Sequence, residues 1–372
     1  MWLTAFIGGA TAFIESTLAQ IYKKRDKDGS SYGGPAFYMQ TALKQRWLGV
    51  IFSFLIIMIY AVGYNMLAAY NLQSTFAAFS FYDAGVTPKL IGLILAILFG
   101  VIVIGGAKRL VRVTAVMVPV MGVIYVLVSL LIMALNITNI PHMFAMIFKG
   151  AFDFPSIFGG FAGSCIMWGI KRGLYSNEAG MGSAPNAAAK ADVSHPVKQG
   201  LIQALSVFTD TIVICSCTAF IILLSDLPLD GTLKGIQLTQ AAVGHEIGPF
   251  GAQFIAFCIL LFAFSSIVGN YSYCETNLFF ISRHPAGLQI YRIAVGGMVF
   301  FGSVAGLDIV WNLADLFMAL MTLINLIALI FLGHLALKAL KNYNDQKRRG
   351  IKSPVFKASD IPEIEDQLSE WK

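Results

Sequence analysis

The stretch from Gly173 to Asn186, GLYSNEAGMGSAPN, combines residue types that could hold an ion or a small polar solute. It contains three glycines, a proline and the polar side chains of Ser176, Asn177 and Glu178, and Arg172 stands just before it. Glycine and proline weaken a helix and so free backbone groups, while hydroxyl, amide and carboxylate groups can act as further ligands. Because the flanking sequence is strongly apolar, the stretch predicts a polar site in an apolar environment.

Glycines recur through the predicted segment around this stretch, and they allow two interpretations. They stand at Gly159, Gly160, Gly163, Gly169, Gly173, Gly180 and Gly182. An interrupted span is typical of a transporter site, where freed backbone groups coordinate ions and substrate. Spaced glycines can also simply allow close helix packing. Packing alone does not account for Arg172, Asn177 and Glu178 occurring together, so we favour a binding site or a gate.

Four acidic residues also fall inside apolar segments, at Glu15, Asp210, Glu275 and Asp315. A charge in such a place costs about 2.5–3.5 kcal/mol or more, which makes each residue a functional candidate. The alternative is that each pairs with a neighbouring helix, and for Glu15, close to the end of its segment, we favour this alternative. Asp210 has hydroxyl neighbours, Thr209 and Thr211, so a cation pathway and structural hydrogen bonding are both open.

A second polar stretch, FAFSSIVGNYSYCETN, places adjacent hydroxyls at Ser265 and Ser266 inside an apolar segment, followed by Gly269 and Asn270. Hydroxyl and backbone oxygens suit a hard cation such as sodium. Serine hydroxyls in membrane helices also commonly bond the carbonyls of their own helix. From the residues alone, we slightly favour this second explanation.

The composition indicates a membrane protein. Of 372 residues, 57% are hydrophobic and 12% are charged, against about 25% charged in ordinary soluble domains. The net charge of +6 comes from short basic clusters between apolar runs, which predicts contact with a lipid bilayer and no binding of nucleic acid. The five cysteines are scattered through apolar runs and are expected to be small core residues, with no resident metal or organic cofactor.

Length and apolarity predict an all-α polytopic fold of about nine membrane segments. They are Trp2–Ile21, Trp47–Phe79, Leu90–Gly106, Leu110–Leu135, Ile157–Ala189, Val197–Leu224, Phe250–Ile281, Leu288–Gly306 and Ile309–Leu337. Basic and non-basic loops alternate between them, so the positive-inside rule places the first loop and the C-terminal tail in the cytoplasm. A channel would need a more continuous polar lining, and an enzyme would need a nucleophile with a base or grouped metal ligands. We therefore favour a transporter, with an amino-acid-binding sensor as a further alternative.

Three long motifs closely resemble the alanine or glycine:cation symporter family, the sodium:alanine symporters. They are GGATAFIESTLAQIYKKRDKDGSSYGGPAFYM from Gly8, GLYSNEAGMGSAPNAAAKADVSHPVKQG from Gly173, and FAFSSIVGNYSYCETNLFF from Phe262; SPVFKASDIPEIEDQL in the tail is also similar. The resemblance implies a LeuT-type inverted-repeat fold in a bacterial or archaeal plasma membrane. The transmembrane core would then be residues 1–340, with a partial first repeat (1–136) and a second repeat (137–340), followed by a cytoplasmic tail (341–372).

The resemblance further implies sodium-coupled symport of a small neutral amino acid, alanine or glycine, by alternating access. The implied substrate-binding residues are Ser176, Asn177, Ser266 and Asn270, the implied cation-binding residues are Ser265, Ser266, Asp210 and Thr211, and the gate would be an Arg172–Glu178 pair on the cytoplasmic side of the break. A half-helix N-terminus is expected to meet the substrate carboxylate. Family members carry a first core helix before GGATAF, so the nine segments are expected to be core helices two to ten. The alternative is a truncated, inactive or binding-only fragment of such a symporter.

Overall fold

The computed structural model describes residues 1–26, 29–105, 108–152 and 161–371, and leaves out the side chains of residues 104–105, 108–114 and 161–165. In these ranges the protein is helical, apart from an antiparallel pair of two-residue strands, β1 (Lys24–Arg25) and β2 (Ser31–Tyr32). The helical class predicted from the apolar segments is confirmed. Gly159 and Gly160 of the glycine-rich segment lie outside the described residues.

The helices connect in the following order along the chain. They are α1 (Trp2–Ile21), α2 (Pro35–Thr41), α3 (Arg46–Ile57), α4 (Asn65–Thr75), α5 (Thr87–Gly105), α6 (Lys108–Leu135), α7 (Ile140–Ala151), α8 (Phe161–Asn177), α9 (Ala184–Ala188), α10 (Pro196–Phe208), α11 (Cys215–Leu224), α12 (Ile236–Ile247), α13 (Pro249–Ile281), α14 (Pro285–Val304) and α15 (Leu307–Arg348). Two π-helical segments, Met58–Tyr64 and Thr209–Ile214, join α3 to α4 and α10 to α11. Such segments are frequent at functional sites.

Several helix bounds lie close to the predicted segments, because an apolar run sets both, but α15 continues to Arg348, eleven residues beyond its predicted end at Leu337. Helix α1 covers the predicted Trp2–Ile21, and α13 begins one residue before its predicted Phe250. Among the described residues, six helices are long and apolar enough to cross a membrane: Arg46–Ala78, Ala115–Leu135, Pro196–Leu224, Pro249–Ile281, Pro285–Val304 and Leu307–Arg348. The count of nine membrane segments stays a prediction.

Apolar side chains form both the core and the outer surface, as expected for a protein surrounded by lipid. The largest buried cluster joins α1–α4 with α13–α15 and includes Tyr38, Phe52 and Tyr60. Isoleucines on the outside are widely exposed, for example Ile293 (76%) and Ile330 (79%). A soluble protein could not leave such a surface uncovered.

Helix α1 crosses α10 closely, and a glycine makes this possible. A Cβ atom added at Gly200 would lie 2.2 Å from the Thr17 hydroxyl oxygen and 2.9 Å from the Phe13 carbonyl oxygen. Small residues at helix crossings let two backbones approach in this way. The crossing brings the C-terminal half of α1, which carries Glu15, beside the chain that follows α8.

The C-terminal segment (residues 349–371) folds back against the helices after α15 ends. Its backbone is tied to the start of α10, because Phe356 N–H donates to the Ser194 carbonyl (2.9 Å) and the Ser194 hydroxyl donates to the Pro354 carbonyl (2.8 Å). Its apolar side chains are buried against the large core cluster: Phe356, Ile361, Ile364, Leu368 and Trp371. The C-terminal segment is therefore a packed element.

His195 lies beneath this segment, immediately before the candidate span that begins at Pro196. Its ring is edge-on to Phe356 (centroids 5.3 Å apart) and Tyr343 (5.0 Å), and its Nδ1 accepts from the Val197 N–H (3.2 Å). Burial lowers the pKa of His195 to about 4; the hydrogen bond with Asn342 and the charge of Asp360 oppose this shift, and the charge of Lys198 adds to it. Protonation at Nδ1 would also remove the acceptor for Val197.

This geometry predicts that acid favours release of the C-terminal segment. An exposed histidine has a pKa of about 6.5, so docking is at full strength above that pH and weakens as pH falls towards about 4. At a pH of about 5.5 the released population should rise about tenfold. Hydrogen exchange of residues 354–371, corrected for the intrinsic effect of pH, measures this change. His195→Asn keeps a capping acceptor but does not titrate. If hydrogen exchange in His195→Asn depended on pH as strongly as in the unmodified protein, His195 would not be the group that controls release.

Candidate functional site

The chain leaves helical geometry directly after α8. Three of the next residues have positive φ angles, namely Glu178 (53°), Gly180 (81°) and Gly182 (85°), before α9 begins at Ala184. Glycine adopts this left-handed region without steric cost, which explains the two glycines. The break therefore lies at residues 178–183, inside the stretch singled out by its composition. Gly173 serves packing instead, since a Cβ there would lie 2.2 Å from the Thr4 hydroxyl oxygen.

A carboxylate from α1 replaces the helical acceptors that the break removes. Glu15 is completely buried, and its two oxygens accept from the backbone N–H groups of Gly180 and Gly182, each at 3.1 Å. The Asn177 side chain accepts from the Ala179 N–H (3.1 Å). Inside a membrane such groups must be satisfied by protein or by water in a cavity. The unwound backbone therefore depends on Glu15. The N–H groups of Gly180 and Gly182 are therefore already engaged, and the expected contact of a half-helix N-terminus with the substrate carboxylate stays a prediction.

An asparagine from the last helix completes this network. The Asn325 amide donates to Glu15 Oε2 (2.8 Å) and to the Gly180 carbonyl (2.9 Å), and the Tyr38 hydroxyl donates to Asn325 Oδ1. Tyr38, Asn325 and Glu15 are all fully buried. Hydrogen bonds from several parts of the chain thus converge on the break, which fixes its conformation.

A second set of bonds holds the side of the break that leads into α9. The Ser183 hydroxyl donates to Glu178 Oε2 (2.7 Å), and the Asn186 amide donates to the Gly182 carbonyl (2.8 Å). The Asn277 amide of α13 in turn donates to Asn186 Oδ1 (2.9 Å). The break is thereby connected to α13 as well as to α1 and α15.

A cavity of about 470 Å³, here called the first cavity, lies against the break. Six of the predicted site residues line it: Arg172, Ser176, Glu178, Asp210, Ser266 and Asn270. Three further predicted residues, Asn177, Thr211 and Ser265, are not among its lining residues. Tyr64, Asn71 and Tyr175 also contribute to the wall, and the sequence did not point to them. The structure brings together side chains from α4, α8, α13 and both π-helical segments.

Side-chain oxygens concentrate where α8 meets the second π-helical segment. The Ser176 hydroxyl donates to Asp210 Oδ2 and lies 3.5 Å from the Thr211 hydroxyl, and the Asn177 amide donates to Thr211 (3.2 Å). The Cys215 sulfur is 3.0 Å from the Ser176 hydroxyl. A carboxylate with hydroxyl neighbours is a donor set that a hard cation prefers.

The adjacent serines of α13 have different surroundings. The Ser265 hydroxyl donates to the Phe262 carbonyl of its own helix (2.9 Å). Ser266 lines the first cavity, and its hydroxyl has no hydrogen-bond partner among the described residues. Asn270, one turn further on, lines the same cavity and donates to Asn65 Oδ1 (2.9 Å). The bond within the helix is therefore confirmed for Ser265, while the role of Ser266 in binding a cation stays a prediction.

Arg172 is paired with a different acid from the one expected. Its guanidinium donates to Asp315 (2.5 Å) and lies 3.8 Å from the centre of the Trp311 ring, while Glu178 accepts from Ser183. Asp315 precedes Asn325 by ten residues on α15, or about 15 Å along the axis. Arg172 therefore lies beside the part of α15 that precedes the break contact, and its expected cytoplasmic position stays a prediction. No Arg172–Glu178 ion pair forms within the described residues.

A second cavity, of about 970 Å³, shares no lining residue with the first. Helix α13 contributes to both, with Ser266 and Asn270 in the first cavity and Ser272, Glu275 and Thr276 in the second. Opposite α13, the second cavity is lined by Arg25, Lys190 and Asp192, among others. The Lys190 ammonium spans the two walls by donating to the Ser272 hydroxyl (2.7 Å).

Sequence reasoning missed Asn325 and Tyr38, and it did not assign Glu15 to the break. Asn325 had a signal, because an amide within the apolar run MTLINLIALIF must find a buried partner. Tyr38 had none, since its hydroxyl is one of many in the chain. The partner of Glu15 could not be deduced, because 165 positions separate Glu15 from Gly180.

A backbone break beside a polar cavity, within long apolar helices, is typical of multi-pass membrane transporters. A family model of the sodium:alanine symporter family matches residues 1–358, and the chain belongs to this family.

Named relatives agree with this assignment. The amino-acid carrier protein AlsT of Bacillus subtilis is 48% identical over 98% of this chain and 77% of its own length. The probable sodium/glutamine symporter GlnT of the same species is also 48% identical, over 96% of this chain and 73% of its own length. The sodium/alanine symporter AgcS of Methanococcus maripaludis is 36% identical over 95% of this chain and 78% of its own length. The expectation of a first core helix ahead of these residues stays a prediction.

The Glu15 network predicts a large and specific loss of stability. Glu15→Ala would leave two backbone N–H groups and part of the Asn325 amide without acceptors, at about 1–3 kcal/mol for each buried group. We expect a clearly lower thermal unfolding midpoint in detergent. The matched control is Ser16→Ala, because the neighbouring Ser16 hydroxyl is buried without a partner in the described structure. Equal midpoints for the two variants would contradict the role of Glu15.

Proposed function

We propose that this protein carries out sodium-coupled symport of a small neutral amino acid, alanine or glycine, through a LeuT-type alternating-access cycle in a prokaryotic cytoplasmic membrane. The observation that carries the proposal is the unwound segment held by Glu15 beside an oxygen-lined cavity. Unwound backbone at the middle of a membrane protein is a common means of binding ions and substrate. The family assignment and the names of the relatives support the same function.

The sodium ion would bind where Ser176, Asp210 and Thr211 meet, since they provide the carboxylate and hydroxyl oxygens. Ser266 lines the same cavity from α13 and would offer its hydroxyl, which has no hydrogen-bond partner in the described part of the chain. The positive ion would offset the negative charge of Asp210 and of the substrate carboxylate. Sodium and amino acid would therefore each raise the affinity for the other, as a reciprocal coupling requires.

The amino acid would occupy the first cavity beside Ser176 and Asn270. The Tyr64 and Tyr175 rings, whose centroids are 5.0 Å apart, would limit the size of its side chain. On one side of this cavity the Arg172–Asp315 pair connects α8 to α15. We propose that this pair, rather than Arg172 with Glu178, forms a gate on the side away from the C-terminal segment. The C-terminus would be cytoplasmic, as the loop charges predict.

Uptake in proteoliposomes tests the function directly. An inward sodium gradient should drive accumulation of labelled alanine or glycine, whereas choline in place of sodium should not. Labelled glutamine, tested in parallel, reports whether the cavity accepts a larger neutral side chain. Equal uptake in sodium and in choline would overturn the coupling, and sodium-dependent binding without uptake would favour the binding-only alternative.

The adjacent serines provide a matched pair for the cation site. Ser266→Ala should raise the sodium concentration for half-maximal uptake about tenfold, because it removes a hydroxyl facing the cavity and a bond to a charged group contributes about 1.5–3 kcal/mol. Ser265→Ala should change it less than about twofold, since this hydroxyl bonds its own helix. A larger increase of this sodium concentration in Ser265→Ala than in Ser266→Ala would exclude Ser266 as a ligand.

The proposed gate makes a separate prediction. Asp315→Asn should weaken the hold on Arg172, so that the thiol introduced by Asn71→Cys in the first cavity reacts about fivefold faster with a membrane-impermeant thiol reagent, in line with about 1 kcal/mol for a partly buried pair. Asp308→Asn is the control, because this acid in the first turn of α15 has no side-chain hydrogen bond or ion pair within the described residues. The chain without Asn71→Cys measures the background labelling of the native thiol of Cys215. Unchanged labelling in Asp315→Asn would exclude a gate at this pair.

A further inference from the structure

The end of the C-terminal segment is attached to the end of α1 by three different contacts. The Trp371 indole N–H donates to the Gln20 carbonyl (3.0 Å), and the Lys23 ammonium lies 4.7 Å from the centre of the Trp371 ring. The Glu370 carboxylate pairs with Arg25 Nε (3.0 Å). Trp371 is buried and the Glu370 side chain is only 11% exposed, so this end is well packed.

The residues held in this way also hold the chain that follows the break. The Gln20 amide donates to the Ala188 carbonyl, the last residue of α9, and to the Ala191 carbonyl (2.9 Å). The Lys23 ammonium donates to the same Ala191 carbonyl (3.3 Å). A continuous series of contacts therefore runs from Trp371 through the end of α1 to the half-helix beyond the break.

These contacts hold the residues that line one side of the second cavity, since Arg25 pairs with Glu370 and the bonded Ala191 lies between Lys190 and Asp192. Arg25, Lys190 and Asp192 line the cavity on this side, and Ser272, Glu275 and Thr276 of α13 line it on the other. Lys190 donates across to Ser272 (2.7 Å). To widen the second cavity, the side that carries Arg25, Lys190 and Asp192 must move away from α13. That movement would carry the attachment points of the C-terminal segment with it.

The other end of the segment is fixed to parts of the protein that this movement would leave behind. On α15, Lys338 contacts Glu363, and His334 lies 3.5 Å from the same carboxylate. Gln346 of α15 donates to the Val355 carbonyl (2.7 Å). The segment thus spans from α15 to the end of α1. A tether between two parts that must separate stabilises the closed arrangement.

We propose that residues 353–371 are a strap that holds the second cavity closed and sets how readily this side of the transporter opens. The proposal rests on the transport function proposed above. The ion pairs with Arg25 and Lys338 are at the surface and are weakened by salt. The buried contacts of Trp371 are not, so the indole is the main attachment and Glu370 a secondary one.

Cysteine labelling tests the strap independently of transport. Thr276→Cys places a thiol in the second cavity. Its reaction with a membrane-impermeant thiol reagent is followed in membranes oriented so that the C-terminal segment faces the reagent. Trp371→Phe keeps an aromatic ring but loses the N–H bond to Gln20. The double variant Trp371→Phe, Glu370→Gln should accelerate labelling about fivefold. Glu365→Gln makes the same charge change on a side chain without a hydrogen bond or ion pair within the described residues, and it should leave the rate unchanged.

A charge exchange excludes a simple loss of folding. Arg25→Glu alone should speed labelling, and Arg25→Glu together with Glu370→Arg should slow it again towards the starting rate. Unchanged labelling in the Trp371 and Glu370 variants, or equal acceleration by Glu365→Gln, would overturn the strap. Failure of the unmodified chain to take up amino acid with sodium would count against the proposed function, while the labelling rates would still decide whether the segment restrains this cavity.

Discussion

One buried carboxylate makes the central feature of this structure possible. Six residues between α8 and α9 leave helical geometry inside an apolar protein, and their backbone groups need partners there. Glu15 accepts from two of them and is itself held by Asn325. The close crossing of α1 and α10 at Gly200 and the buried Tyr38 hydroxyl both serve to place these groups. Without Glu15, the same sequence of glycines would be a site of instability rather than of function.

Helix α13 contributes side chains to two separate cavities. Ser266 and Asn270 face one cavity, and Ser272 and Thr276 face the other. Each cavity has its own connection between helices, Arg172 with Asp315 beside the first and the C-terminal segment beside the second. The two connections end on the same helix, α15, at well-separated positions. Helix α15 can therefore act as a common support against which both sides open and close.

The sequence predicted the features that depend on local chemistry. Apolar run length predicted helices close to their observed bounds, and the composition of residues 173–186 located the break. Features that depend on tertiary pairing were not accessible. Arg172 selects Asp315 rather than the nearby Glu178 because Trp311 and Asp315 lie on the face of α15 that meets α8. The two adjacent serines differ only in helical phase, and the fold of residues 349–371 depends on a surface that α1, α10 and α15 build together.

The most direct test is a high-resolution structure in a lipid nanodisc with sodium and L-alanine. The account predicts that residues 178–183 are unwound, that both Glu15 oxygens lie within hydrogen-bond distance of the Gly180 and Gly182 N–H groups, and that ion density lies beside Ser176 and Asp210. A continuous helix through residues 174–188, with Glu15 turned away from it, would contradict the account.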